Sequence, residues 1–142
     1  MYETRAHLVA LSIAILGPFV HLMLGPQSVF GPPLIYAYWT AALSVYILIL
    51  IPFTYKVPLT LVKLIFLGVA VEDFFSNSWG SLLLGKKFLP FSNWYTEIFP
   101  FLGSLGEPTP YLLIPQWYLL AFLIYFVITA FQYKNKLKSL IV

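Results

Sequence analysis

Polar residues interrupt this chain at only a few places, and between them lie four apolar runs. A helix that crosses a bilayer needs about 20 such residues. The first run covers about residues 6–24 and is closed by Gly25-Pro26. Gly17-Pro18 inside it predicts a kink, because proline removes a backbone donor. The second covers about 34–53, behind the helix-starting pair Pro32-Pro33. The third covers about 59–79, with room to continue to Leu84. The fourth covers about 111–133, with Pro115 expected in its first turn, where proline is tolerated. Lipid cannot satisfy an open sheet edge, so these runs are expected to be helices. The expected fold is all-α: one integral membrane domain over residues 1–142, a polytopic four-helix transmembrane bundle.

The first two connections, GPQSVFGPP and TYKVP, are short and make their helices antiparallel neighbours. The third, residues 85–110, is long and rich in proline, glycine and aromatic residues. It is expected to be a long outer loop, lying on the membrane surface or folded over the bundle; loops of this length often act as lids or binding elements.

Composition agrees with the pattern. Hydrophobic residues make up 61% of the chain and charged residues 9%, with a mean hydropathy of +0.88. A soluble domain carries about 25% charged residues, so this surface calls for lipid. The aromatic share of 19% is also high. Trp39, Trp79, Trp94 and Trp117 are expected as anchors at the interfaces. The first run follows Arg5 like a signal peptide, but no A-x-A-like cleavage site follows it, so it is read as a retained helix.

The net charge of +3 comes from basic residues spread along the chain, which gives no nucleic-acid patch. The chain has no cysteine, so disulfides, thiolate metal sites and thiol catalysis are excluded. Arg5, Lys56, Lys63, Lys134, Lys136 and Lys138 fall on one side of the expected bundle, and Lys86 and Lys87 on the other. That bias predicts a multi-pass membrane protein with both termini cytoplasmic.

The candidate chemistry lies at Glu72 and Asp73, inside the third run. An intramembrane acid is expensive and by default marks a functional site. Glu72 is 13 residues from Leu59, roughly 20 Å along a helix, which places it in the outer half. Ser76 and Asn77 follow one turn later on the same face, giving a polar stripe that should turn inward. His21, Tyr36, Thr40 and Gln116 are expected at the same depth on the other three helices. The expected ligand-binding set is therefore His21, Tyr36, Thr40, Glu72, Asp73, Ser76, Asn77 and Gln116, with Glu72 and Asp73 the candidates for any catalytic role.

The acids can simply fix the bundle, hydrogen-bonding loop amides, helix ends and His21 as interhelical glue, and three functional uses also fit such a pocket. It can bind a ligand or hold a small accessory protein in a larger complex. It can donate a proton to an apolar substrate, because burial keeps a carboxyl protonated near neutral pH. It can pass protons or cations, with His21 as partner. Glu72, Asp73, His21 and Glu97 have metal-compatible chemistry but no diagnostic spacing, so no metal site is assigned. His7 and His21 lie on one helix, whereas a haem in a bundle takes its ligands from facing helices, so no cofactor is expected. His7 is read as an interfacial residue.

Two resemblances rest on Val71-Glu72-Asp73-Phe74-Phe75. With Gly85-Lys86-Lys87-Phe88, a loop holding Trp94, and Gly106-Glu107-Pro108, the string resembles a group of small uncharacterised prokaryotic multi-spanning membrane proteins over about residues 68–125. That resemblance implies a membrane fold and no activity. The same five residues are similar to the P-x-E-E-x-x-F-F element of small membrane lycopene cyclase domains, whose paired acids act on a polyene. The chain has Ala70 in place of that proline, Asp73 for the second acid, and no second acidic helix motif. The preferred expectation is a small accessory or ligand-binding membrane protein. The alternatives are a membrane enzyme acting on an isoprenoid or lipid by acid catalysis, and a proton- or cation-translocating subunit. Membrane lipids, a membrane-protein partner or further copies of the chain are the expected partners.

Overall fold

A computed structural model describes residues 2–24, 32–85 and 115–141, with side chains for 3–23, 40–85 and 115–136. These residues form four helices: α1 (Tyr2–Leu24), α2 (Pro32–Thr54), α3 (Pro58–Leu84) and α4 (Gln116–Ile141). The expected outer loop lies outside the described residues apart from Gly85. So do the side chains of Tyr36 and Trp39.

The helix ends follow local chemistry. Pro58 opens α3 at its first position, where a missing N–H costs nothing. Gly85 closes it in the left-handed region at φ 62°, which only glycine enters without strain. Between α2 and α3 the turn is tight: Val57 N–H donates to Thr54 O at 2.8 Å, and Thr60 N–H to Val57 O at 2.8 Å.

Several boundaries differ from those read off the apolar runs. α1 already begins at Tyr2, and α4 continues past residue 133 to Ile141. Pro115 precedes α4 instead of lying in its first turn; its carbonyl accepts the Tyr118 N–H at 3.0 Å. Hydropathy marks where a helix is apolar, whereas backbone hydrogen bonding continues into polar residues, so the helices outrun the runs. α1 stays helical across Gly17-Pro18. In the adjoining turn the Ile15 carbonyl accepts the Trp79 indole N–H at 2.8 Å.

α3 is the hub, packing on α1 most extensively, then on α4 and α2. α1 meets the bundle through Ala6, Ala10, Ala14, Pro18 and His21, a buried row spaced three or four residues apart. Small side chains there let the backbones approach closely. Ala6, Ala10, Tyr46, Leu50 and Leu64 form the core shared by α1, α2 and α3. Tyr46 lies directly over Gly68 and donates to the Leu64 carbonyl at 2.9 Å. A second core of Ala70, Trp117, Tyr118 and Ala121 joins α3 to α4.

The α3–α4 seam is antiparallel and in phase. Thr60 faces Gln132, Lys63 faces Thr129, and Asp73 faces Tyr118. Steps of three and ten residues forward on α3 are matched by steps of three and eleven back on α4, as two helices in continuous contact require. α1 over Glu3–Met23 and α4 over Gln116–Lys136 are each long and apolar enough to cross a membrane. The described apolar part of α2, Thr40–Thr54, is shorter.

Candidate functional site

Asp73 is the better buried of the two acids, only 5% exposed, and points into the α3–α4 seam. The Tyr118 hydroxyl donates to Asp73 Oδ2. Tyr118 is itself buried, with its ring centroid 3.9 Å from that of Trp117. Phe66, Val69 and Ala70 complete the apolar wall. Asp73 and Tyr118 thus form a buried carboxyl–phenol pair, and Tyr118 belongs to the aromatic and aliphatic core between α3 and α4.

Glu72 lies one residue round the helix and is half-buried, close enough for its charge to act on Tyr118. His21 is buried on α1. Asn77 is half-buried and donates to its own helix at Asp73 O, 3.0 Å away. Ser76 and Gln116 are half-buried. Thr40 is exposed, and its carbonyl accepts the Ser44 hydroxyl at 2.8 Å. Of the expected cluster, Asp73 is joined across the seam to Tyr118. The two tryptophans with described side chains in this region make contacts between helices. Trp117 is buried in the second core, and Trp79 reaches across to α1 and packs edge-on against Phe19.

Tyr118 was not legible as a site residue, because a tyrosine at the start of an apolar helix looks like packing. Only the seam register brings it to Asp73.

A second polar group gathers at the opposite end of the seam, about 15 Å along α3. Lys63 is buried and donates to Glu3 Oε1. Its ammonium also lies 3.5 Å from Thr129 Oγ1 and 5.7 Å from the centre of the Tyr125 ring. His7 Nδ1–H donates to the Glu3 carbonyl at 2.8 Å, which leaves Nε2 to accept the Tyr125 hydroxyl at 3.1 Å. Lys63 thus does more than bias orientation, and His7 is a helix-to-helix contact, not a simple interfacial residue. A lone lysine in an apolar helix needs a counter-charge, and that was the available signal. Glu3 supplies it because α1 starts at Tyr2. Among the described residues, no three histidine or acidic side chains gather closely enough to hold a metal ion.

No protein-family model, curated protein or solved structure matches the chain.

Proposed function

We propose that the chain is a small integral membrane protein, a four-helix transmembrane bundle of accessory or ligand-binding type, with Asp73 and Tyr118 at the centre of its ligand pocket. The observation that carries this reading is the inverted polarity of the helices. Leu8, Leu16, Val20 and Met23 on α1 are exposed, as are Leu48 and Ile51 on α2 and Leu123, Phe126, Val127 and Phe131 on α4. The buried positions include Lys63, Asp73 and His21. In water that arrangement would be penalised twice; in lipid it leaves apolar chains outside and polar groups paired within.

An aromatic lining around a fixed carboxylate suits a lipid-soluble molecule with a hydrogen-bond-donating or cationic group. The described seam between Lys63 and Asp73 is apolar, with Phe66, Val69 and Ala70 along it, which favours separate pockets over a polar path. Two measurements test the proposal. Alkaline carbonate extraction should leave the chain in the membrane pellet; release into the supernatant would remove the membrane reading. Mass spectrometry of molecules copurifying with wild type and Asp73→Asn should show selective loss of one species while helicity is kept. An unchanged set would make the Asp73–Tyr118 pair a packing device.

A further inference from the structure

The Lys63–Glu3 pair is lopsided. Lys63 is 1% exposed and closed in by three helices, whereas Glu3 is 56% exposed. A sealed ammonium needs an anion beside it wherever the surrounding medium cannot hydrate it. A half-exposed carboxylate meets that need but is replaceable, because it regains hydration on leaving. The demand for an anion therefore belongs to the site, and Glu3 is one occupant.

The surroundings point the same way. Glu3 is the one acid among the described residues of this end. Arg5 on α1 and Lys134 and Lys136 on α4 are exposed, and Lys136 and His7 lie near enough to Glu3 to act on its charge. One turn from Lys63 and Thr129, the Gln132 amide donates from Nε2 to Thr60 Oγ1 at 2.9 Å. Its Oε1 is buried with no hydrogen-bond partner among the described residues. Turning the amide over moves the deficit to the nitrogen without removing it. As assigned, this oxygen asks for a donor; with the amide turned over, the Thr60 hydroxyl can donate to Oε1 and the freed Nε2–H is open to an anion. Exposed Leu8, Val127 and Phe131 flank the same end with apolar surface.

We propose that this end binds a phosphate-bearing headgroup, with Lys63 as the anchoring cation and Glu3 as the carboxylate that holds the place until the headgroup displaces it. A lipid source for that headgroup rests on the membrane reading above.

The test is native mass spectrometry of the detergent-purified full chain with phosphatidylglycerol, phosphatidylcholine or inorganic phosphate added. Wild type should retain phosphatidylglycerol over phosphatidylcholine, and Lys63→Met should cut that preference by about fivefold, the worth of one cation at a lipid surface. Glu3→Gln should raise retention, because it removes the competing carboxylate; a purely structural ion pair predicts no such gain. Lys134→Gln with Lys136→Gln should cost less than Lys63→Met. Circular dichroism checks folding, and Glu3→Gln, at a half-exposed position, keeps the test open if Lys63→Met unfolds. If inorganic phosphate protects wild type but not Lys63→Met against heat, and neither lipid is preferred, the site stands with the free ion as its ligand. Equal lipid retention with no phosphate effect overturns the site and leaves the membrane reading intact. A chain soluble without detergent that retains no lipid overturns the membrane reading, and the phosphate arm still decides the site.

Discussion

At the scale of single residues, burial separates Asp73 from Glu72 although they are neighbours in sequence. Consecutive helical residues point about 100° apart, so a helix that packs on one side buries one of a pair and leaves the other at the margin. Asp73 takes the buried direction and meets Tyr118. Removing the donor should therefore hurt more than neutralising the acceptor. Tyr118→Phe leaves a buried carboxylate short of a hydrogen bond and is expected to cost about 1.5–3 kcal/mol, the range for bonds to charged groups. Asp73→Asn keeps an oxygen for the Tyr118 hydroxyl and should cost about half as much. Reversible unfolding of both variants in one detergent measures the order; a more damaging Asp73→Asn would mean that the charge carries the fold. Lys63 shows the same principle in reverse. Its position among Leu61, Val62, Leu64 and Ile65 was plain in the sequence, but its counter-ion, sixty positions away, was not.

At the scale of elements, α2 comes up close against α3 at Gly68. A Cβ added at Gly68 would stand 2.0 Å from the Tyr46 hydroxyl oxygen and 2.5 Å from the ring carbon bearing it. Gly68→Ala must therefore push the ring aside and break its bond to the Leu64 carbonyl. The expected cost is about 1–3 kcal/mol, as for other overpacked cores. Tyr46→Leu clears the space while losing core contacts of its own. The double variant should be more stable than the two single effects added together, because both act through one contact. Strict additivity in thermal unfolding would show that Tyr46 does not rest on Gly68. None of this was legible beforehand: Gly68 sat in an apolar run with no turn or cap near it, and only the crossing gives its missing side chain a purpose.

At the scale of the whole molecule, the bonds from Lys63 to Glu3 and from Gln132 to Thr60 bring the start of α1, the start of α3 and the last third of α4 to one end. Both ends of the chain are thereby led to the same side of the bundle. With Arg5, Lys56, Lys134 and Lys136 gathered there, the positive-inside rule predicts that this side is cytoplasmic. Reporter fusions at the C-terminus and within residues 90–100 test it. The C-terminal reporter should be active in the cytoplasm and the internal one outside. An internal reporter in the cytoplasm would reverse the predicted orientation.

Four apolar runs, proline and glycine at their ends, and a pair of acids inside one run are local properties of the chain. They were enough to determine four helices, their approximate bounds and the helix carrying the costly charges. Helix formation is decided within a few turns, so the sequence alone specifies it. Which helix becomes the hub, the α3–α4 register, and the partners of Asp73 and Lys63 depend on contacts between residues 45 to 72 positions apart. Those contacts exist only once the helices pack, because each is the meeting of two faces that no local pattern relates. That is why the acid was visible from the sequence, while the phenol that holds it and the carboxylate that answers Lys63 were set by the tertiary structure.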